Sequence, residues 1–247
     1  MLAAGIGRRL YGDGNAEPPK ALLQFGGQSR LRRHIGILVE LGVEELVVVV
    51  GHRREMIEAE LAAAAPAGFA RTLFNPRYPE SPILSLATAS DVLRSGSPIL
   101  FMDADVYYHP DLMRALINSP KQTCILMDRD FEPGAEPVKV CVKEGIIVDF
   151  GKKVTDDYDT VGEWPGFLKM APDIALRVAD RTDRMARGDM PNFIYEQAFC
   201  EIMQESPPGA FGVEDVTGIP WIEIDFPEDV ARAEKEIHRK IAAYRPA

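Results

Sequence analysis

Apolar residues along the chain alternate between helical spacing and short continuous runs. Residues Leu31 to Leu41 repeat apolar side chains at helical spacing before Gly42, which predicts a helix that ends at that glycine. The run from Glu45 to Val50 is continuous and β-branched, as expected for a parallel strand that is buried on both faces. Arg53 to Ala65 returns to helical spacing, and Arg71 to Asn75 predicts the next strand.

The alternation of strands and helices continues as far as residue 118. Ile83 to Leu93 predicts a helix beginning near Ser81, Pro98 to Asp103 predicts a buried strand that ends in acid, and Asp111 to Asn118 predicts a helix. Repeated strand–helix–strand units predict an α/β fold with a doubly wound, mostly parallel, Rossmann-like sheet that carries helices on both faces.

After residue 120 the sequence pattern changes to short apolar segments separated by turn residues. This pattern predicts a small antiparallel β insertion, with strands at 124–128, 138–142, 146–150 and 164–170 and hairpin-like connections at 132–137 and 143–145. Further helices are predicted at 173–184, 192–204 and 227–244, with a late strand at 221–224.

The composition narrows the class of protein. At 247 residues without a break in composition, the chain is predicted to form one domain. A net charge of -10 and a pI near 5.0 disfavour nucleic acid as a partner, although a local basic loop is still able to bind a nucleotide. No apolar stretch is long enough for a membrane span and no signal peptide is evident. The scattered Cys124, Cys141 and Cys200 suit free thiols, so we expect a cytoplasmic protein.

The first twenty residues contain a glycine loop with basic neighbours. Residues 2–10 read Leu-Ala-Ala-Gly-Ile-Gly-Arg-Arg-Leu, and a Pro-Lys pair follows at positions 19 and 20. Gly5 and Gly7 allow a sharp turn that brings backbone N–H groups close to a polyphosphate, and Arg8, Arg9 and Lys20 supply positive charge. The loop is neither a Walker motif nor a complete G-x-G-x-x-G motif, so a plain tight turn is the alternative interpretation.

This combination resembles the signature of the nucleotidyltransferases that activate sugar phosphates and phospho-alcohols, including the MobA-like NTP transferases and the phosphocholine cytidylyltransferases. In that family the glycine loop and its arginine hold the triphosphate, and the lysine after proline contacts phosphate. The resemblance assigns catalysis and nucleotide binding to Arg8 and Lys20, and nucleotide binding also to Leu2, Ala3, Ala4, Gly5 and Gly7.

Members of the family usually carry several apolar residues before this motif, which complete the first central strand. Here the motif begins at Leu2. We therefore expect either a start upstream of Met1 or a shortened first strand.

Two acidic stretches supply candidate ligands for Mg²⁺, which prefers few carboxylates together with phosphate oxygens. Asp103 and Asp105 end a predicted strand, where open α/β sheets bind ligands, and the resemblance assigns metal and nucleotide binding to Asp103. It leaves Asp105 as a supporting acid on the acceptor side. Glu223 and Asp225 share one face because strand residues alternate, and the cytidylyltransferase branch has a second metal ligand at the position of Asp225. Helix capping is the alternative role of these acids.

The acceptor and the base have weaker candidates. Lys152 follows a strand where relatives place a catalytic lysine for the acceptor phosphate, although a solvated turn lysine is the alternative. Glu163 and Trp164 are candidates for binding a cationic head group, but core packing explains the tryptophan equally well. Ser81 and Ser85 occupy the region where relatives contact the base, in place of the usual asparagine pair.

The resemblance implies a Mg²⁺-dependent nucleotidyltransferase. It would transfer NMP, with CMP from CTP favoured, to a small phosphorylated or phosphonate acceptor similar to phosphocholine and release pyrophosphate. We expect residues 1–120 to bind the NTP and residues 121–247 to bind the acceptor, with the antiparallel insertion as a lid. The alternatives are a sugar-1-phosphate uridylyl- or guanylyltransferase and a non-catalytic nucleotide-binding module. Neither nucleic acid nor membrane is an expected partner, and the oligomeric state is left open.

Overall fold

A computed structural model describes residues 1–12, 17–132, 134, 136–154, 157–188 and 194–246. Its strands, in chain order, are β1 (Leu2–Ala3), β2 (Gln24–Phe25), β3 (Gln28–Ser29), β4 (Leu46–Val50), β5 (Ala70–Phe74), β6 (Ile99–Met102), β7 (Val106–Tyr108), β8 (Cys124–Met127), β9 (Lys139–Lys143), β10 (Ile146–Gly151), β11 (Thr160–Glu163), β12 (Phe167–Met170), β13 (Gly212–Asp215) and β14 (Trp221–Glu223).

The helices are α1 (Arg8–Tyr11), α2 (Arg30–Glu40), α3 (Arg54–Ala64), α4 (Pro82–Thr88), α5 (Ser90–Leu93), α6 (Pro110–Asn118), α7 (Pro172–Arg187), α8 (Tyr195–Gln204), α9 (Pro227–Arg232) and α10 (His238–Ala243). A 3₁₀ turn covers Lys20–Leu22, and a π-helical turn, Ala233–Ile237, joins α9 to α10. Within the described ranges, no helix combines the length and the apolar character that a membrane span requires.

The chain divides into two compact units. The first unit contains Met1–Glu80, Met102–Arg114 and Ile219–Ala247, and the second unit contains Ser81–Phe101 and Ala115–Gly218. Three separate stretches of chain therefore build the first unit, and two build the second.

A parallel sheet with the strand order β1-β4-β5 lies in the first unit. Its central strand β4 is the predicted β-branched run, and all its residues except Val47 are buried. Leu2 and Ala3 pair in parallel register with Val49 and Val50, so the glycine loop leaves the sheet at the carboxyl ends of these strands. This is the edge at which open α/β sheets bind ligands.

The first unit also contains an antiparallel pair of strands, β7 and β14, which packs on the C-terminal helical segment. Glu223 of β14 lies opposite Val106 of β7 in this pairing. The pair shares a buried apolar cluster with β2, the π-helical turn and α10; its members are Phe25, Tyr107, Ile222, Ile224, Ala233, Ile237 and Ile241.

The second unit contains a four-stranded sheet with the order β13-β8-β12-β6 and a three-stranded antiparallel sheet with the order β10-β9-β11. Strand β13 runs parallel to β8, whereas β12 runs antiparallel to it. Glu144 and Gly145, at φ of 50° and 79°, form the tight turn between β9 and β10, which confirms the predicted hairpin. The mixed α/β fold, with its parallel sheet and small antiparallel sheets, is confirmed.

Two predicted elements are wrong in their continuity. The predicted helix Ile83–Leu93 is broken at Ala89 into α4 and α5; Thr88 donates a hydrogen bond to the Leu84 carbonyl at 2.8 Å, an arrangement that bends helices. The predicted strand at 164–170 begins at Phe167, because Gly166 has a φ of 85° and the preceding proline has no N–H for a ladder.

Several short strands were missed by the sequence prediction, and some predicted segments lie partly outside the described residues. The strands β7, β11 and β13 and the hairpin of β2 and β3 were not predicted. Helix α8 begins at Tyr195, and the predicted start at residues 192–193 lies outside the described ranges, as do residues 133 and 135 of one predicted connection.

Candidate active site

The glycine loop takes its shape from two close contacts. Gly7 precedes α1 with a φ of 76°, and a Cβ at this position would lie 3.1 Å from the Tyr11 ring and 3.3 Å from Cγ of Lys20. Gly51 follows β4 next to the loop, and its Cβ would lie 2.7 Å from the Ala4 carbonyl oxygen. A side chain at Gly51 would displace the backbone of the loop, and a side chain at Gly7 would strain its positive-φ backbone and press on Tyr11 and Lys20, which explains the need for glycine.

A cleft of about 230 Å³ opens beside this loop. It is lined by six of the residues predicted to bind nucleotide, together with Arg9 and Asp105; the six are Leu2, Ala3, Gly5, Gly7, Arg8 and Lys20. The predicted Ala4 is buried instead, and its carbonyl accepts a hydrogen bond from the N–H of His52 at 3.1 Å.

Three carboxylates from two distant segments meet in the first unit. One oxygen from each of Asp105, Glu223 and Asp225 lies within 4.8 Å of the other two. The strand pairing explains this arrangement, because Glu223 lies opposite Val106 and the N–H of Ile224 donates to the Asp105 carbonyl at 2.9 Å. These hard oxygen ligands fit the coordination chemistry of Mg²⁺.

Two cations lie against the same carboxylates. Nζ of Lys20 lies 2.5 Å from one oxygen of Asp225 and 3.4 Å from an oxygen of Asp105. Arg9 contacts the other oxygen of Asp225 at 2.7 Å, and its guanidinium carbon lies 5.4 Å from the centre of the Phe226 ring. Positive and negative groups therefore alternate within one small volume.

The pKa values of this cluster reflect its crowding. Burial lowers the pKa of Lys20, but the charges of Asp105 and Asp225 outweigh this effect and raise the pKa above its ordinary value. Glu223 as a whole residue is exposed, but its carboxyl group is largely removed from water. This desolvation raises the pKa of the carboxyl group well above its ordinary range, and the negative charges of Asp105 and Asp225 raise it further. Three negative charges at this spacing repel one another unless cations compensate them.

Asp103 is not a member of the carboxylate cluster. It forms a parallel bridge with Leu2, and the chain turns at Ala104 and Asp105, so that Asp105 is the acid beside Asp225. The structure therefore groups the predicted Asp225 with Asp105 and Glu223, and Asp103 lies outside this trio.

Five predicted site residues belong to the second unit. Ser81 and Ser85 are buried at the start of α4, with 5% and 6% of their surface exposed. Nζ of Lys152 lies 3.0 Å from a carboxylate oxygen of Glu136. Glu163 ends β11, where its backbone exchanges two hydrogen bonds with Asp128.

Trp164, the fifth of these residues, is 5% exposed. Its Nε1 donates to the Phe167 carbonyl at 2.8 Å. Its ring centre lies 6.0 Å from Phe101, 5.3 Å from Phe150 and 6.1 Å from Phe199. This placement favours the core-packing alternative for the tryptophan.

Two residues of the cluster had no assigned role in the sequence prediction. Arg9 was counted only as positive charge, and Glu223 only as facing the same way as Asp225. The alternation of side chains along a strand was the signal that would have identified Glu223.

Comparison with known proteins places the cluster in context. The sequence profile of the MobA-like NTP transferase domain matches residues 1–146. The CMP-5'-(3-aminopropyl)phosphonate synthase of Streptomyces rubellomurinus is 29% identical over 244 residues, which are 95% of this chain and 38% of that protein. The CTP:phosphoglutamine cytidylyltransferase of Campylobacter jejuni is 23% identical over 249 residues, which cover 93% of this chain and 96% of that protein.

The chain spans 38% of the length of the Streptomyces relative and about half the length of three other curated relatives. Among solved structures, the CTP:phosphocholine cytidylyltransferase from Streptococcus pneumoniae superposes with a TM-score of 0.71 at 21% identity, covering 95% of this chain and 96% of that chain. The likeness to this structure concerns the fold alone.

Proposed function

The chain belongs to the MobA-like NTP transferase domain family, and on this premise we propose that it transfers CMP from CTP to a small phosphorylated or phosphonate acceptor. The observation that carries the proposal is the cluster of Asp105, Glu223, Asp225, Lys20 and Arg9 beside a glycine-lined cleft. A triphosphate and a divalent cation are the ligands that such a mixture of charges accommodates.

The proposed reaction is an in-line displacement at the α-phosphorus of the nucleotide. An oxygen of the acceptor phosphate or phosphonate forms the new bond to this phosphorus while the bond to the bridging oxygen of the β-phosphate breaks, and pyrophosphate leaves with the electron pair. No protein nucleophile takes part. The protein aligns the reactants and neutralises charge, which are effective means of accelerating phosphoryl chemistry.

The residues of the cleft take separate parts in this reaction. Gly5 and Gly7 allow the backbone to approach the phosphates, and Arg8 and Arg9 offset the negative charge of the triphosphate. Lys20 steadies the pyrophosphate as it leaves, because its raised pKa keeps the ammonium protonated.

Asp105, Glu223 and Asp225 are the residues that would hold Mg²⁺. When bound, the ion polarises the α-phosphoryl group and offsets the charge of the phosphates. We assign this role to the trio in preference to Asp103, which lies outside it.

The residues of the second unit complete the proposal. Lys152 and Glu163 are proposed acceptor contacts, and Ser81 and Ser85 are proposed contacts of the base. The choice of CTP and of a phospho- or phosphonate acceptor draws support from the names of the Streptomyces and Campylobacter relatives.

Release of pyrophosphate tests the proposal. CTP, UTP, GTP and ATP are each incubated with Mg²⁺ and with phosphocholine, 2-aminoethylphosphonate, inositol phosphate or hexose-1-phosphates. We expect release with CTP and a small phospho- or phosphonate acceptor. Release with UTP or GTP and a hexose phosphate alone would replace the cytidylyltransferase by a sugar-1-phosphate nucleotidyltransferase. Tight NTP binding without release from any pair would favour the non-catalytic module.

A matched pair of variants connects the activity to the cluster. Asp225→Asn removes one charge from the trio, whereas Glu228→Gln removes one from the exposed first turn of α9. We expect only the first variant to lose Mg²⁺-dependent release. Equal activity of both variants would separate the reaction from this cluster.

A further inference from the structure

Helix α2 turns one face toward the segment that carries Asp105. Arg30, Arg33 and His34 occupy positions i, i+3 and i+4, which lie on one side of a helix. Arg30 donates to the Asp105 carbonyl at 2.6 Å, and Arg33 donates to the Tyr108 carbonyl at 2.9 Å. Three side chains of one helix thus bind the backbone of residues 104–108, which form the turn and the strand β7, and the third does so through the imidazole of His34.

The imidazole of His34 is neutral. Burial, followed by the positive charge of Arg30, lowers its pKa to about 3. Its Nε2 lies 3.3 Å from the Ala104 carbonyl, which requires a proton on that nitrogen, and Nδ1 then accepts from the Tyr108 hydroxyl at 3.3 Å.

Arg30 differs from its two neighbours because it also reaches the other side of the cluster. Its second terminal nitrogen donates to the carbonyl oxygen of Lys20. One guanidinium therefore joins the backbone of Lys20 to the backbone of Asp105, two residues whose side chains meet at 3.4 Å in the cleft.

The position of Arg30 is energetically unfavourable for an arginine, so space filling alone does not explain it. It is 1% exposed, it is the first residue of α2 where the helix dipole disfavours a cation, and its Nε is buried without a hydrogen-bond partner among the described residues. Burial lowers its pKa to about 10, so the group is still charged at neutral pH. A buried charge at the first residue of a helix costs stability that an apolar side chain such as leucine would not cost. Its presence therefore indicates a role that depends on the guanidinium group.

We propose that Arg30 is a positioning residue that sets the spacing between Lys20 and Asp105, and with it the geometry of the three-carboxylate cluster. The inference rests on the proposed function of that cluster. Arg30 itself touches neither nucleotide nor acceptor in this proposal. It acts through two carbonyl groups, each of which fixes the residue whose side chain enters the cleft.

The fork of the guanidinium is the property that matters. Arginine presents several donors in one plane and is able to bind two carbonyls at a fixed separation, whereas lysine offers a single point charge. Arg30→Lys therefore retains the charge and loses the fixed spacing. Arg33→Lys is the matched control, because Arg33 lies on the same face of α2 and binds the end of the adjoining strand β7 through the Tyr108 carbonyl.

The experiment compares Arg30→Lys, Arg30→Met and Arg33→Lys by thermal unfolding, by Mn²⁺ affinity and by kcat and KM for nucleotide transfer. A displacement of about 1 Å costs about 100-fold in rate, so we expect kcat of Arg30→Lys to fall about 10- to 100-fold and its Mn²⁺ affinity about 10-fold. Arg33→Lys should keep both within about threefold. A purely structural role predicts equal losses of melting temperature with unchanged kcat and Mn²⁺ affinity, and that result overturns the proposal.

Chemical rescue provides a second readout. Arg30→Ala leaves a buried space for a guanidinium, and millimolar methylguanidinium should restore kcat about 10-fold, whereas methylammonium should not. Equal rescue by both ions would assign the effect to charge alone and overturn positioning. If every Arg30 variant fails to fold while Arg33→Lys folds, Arg30 is a folding residue and the proposal is overturned as well.

The two proposals fail in different ways. If the unaltered protein transfers no nucleotide but Arg30→Lys still weakens Mn²⁺ binding, the proposed function falls and the positioning role of Arg30 stands. If the unaltered protein is active and Arg30→Lys matches it in kcat and in Mn²⁺ affinity, the proposed function stands and the positioning role of Arg30 falls.

Discussion

The buried charged side chains of the first unit differ in their contacts from the charged side chains on the helix surfaces of the second unit. In the first unit, Arg30 and Asp225 are buried and Lys20 is half-buried, and all three contact segments that are remote in sequence. In the second unit, charged side chains pair across helix surfaces, as Arg94 does with Asp180 and Asp183. The buried centre of that unit includes a group of aromatic rings around Phe101 and Phe199.

The difference follows from the cost of removing a charge from water. A buried charge requires close partners of opposite sign or several hydrogen bonds, and it destabilises the fold when a partner is lost. Ion pairs on the surface contribute little to stability, so breaking one of them lowers the free energy of unfolding only slightly. Buried charge in the first unit therefore indicates a site, whereas the aromatic centre of the second unit indicates a core.

Replacement of Trp164 by alanine should have the largest effect, because it removes a large side chain from the aromatic core. We expect the free energy of unfolding, measured by urea denaturation, to fall by about 3–5 kcal/mol. Leu176→Ala, at a position with 46% exposure, is the control and should change it by less than about 0.5 kcal/mol. If Trp164→Phe raises KM for the acceptor at unchanged stability, the tryptophan binds acceptor and the contrast between the units weakens.

Replacement of Lys20 should act on the reaction. Lys20→Met removes the ammonium that contacts Asp225 and Asp105, and kcat should fall about 100- to 1000-fold, which corresponds to about 2.7–4 kcal/mol. Arg71→Met, which breaks an exposed pair with Glu45 in the same unit, should leave kcat unchanged within about twofold. Similar kinetics for the two variants would remove the distinction between buried and surface cations.

The buried His34 predicts a dependence of stability on pH. Its folded pKa of about 3 lies below the unfolded value of about 6.5, so the unfolded state binds the extra proton as the pH falls. The stability from the neutral imidazole is complete above pH 6.5 and is lost between there and pH 3. From pH 7 to pH 5 this amounts to about 2 kcal/mol.

His34→Gln provides the comparison, because glutamine retains polar atoms but does not titrate in this range. Urea denaturation at pH 7 and pH 5 should show a loss for the unaltered protein that is about 2 kcal/mol larger than that of the variant. Equal losses would mean that the pKa of His34 is not lowered in the folded protein, contrary to the effect expected from its burial and from the charge of Arg30.

The smallest effect is expected for a surface pair. Arg94→Met should lower the free energy of unfolding by about 0–1 kcal/mol, and 1 M salt should remove most of the difference. A loss above about 2 kcal/mol would show that the helix-surface pairs of the second unit act as a cooperative network.

Local patterns in the sequence were sufficient for much of the fold. The β-branched run of β4 and the helical spacing of α2 depend on neighbouring residues, so both were predicted within one or two positions. The break at Ala89 and the late start of β12 depend on a threonine hydrogen bond and a glycine turn, which override an otherwise continuous apolar pattern.

The candidate site was predictable in its motif and less so in its contacts. The glycine loop and Lys20 carry a local signature, and the structure places both at one cleft. The family resemblance favoured Asp103 as the metal ligand, whereas the turn at Ala104 places Asp105 beside Glu223 and Asp225. Arg30 had no signal at all, because its burial depends on carbonyl groups 10 and 75 residues away.

The division of the first unit into three stretches has a consequence for synthesis on the ribosome. All segments of the second unit precede residue 219, whereas Glu223 and Asp225 emerge more than one hundred residues after Asp105. During translation the second unit is therefore able to fold before Glu223 and Asp225, which lie beside the glycine loop in the finished fold, have been synthesised. A released chain truncated after Gly218 should resist protease in the second unit yet lack Glu223 and Asp225, two of the three carboxylates of the proposed cation site.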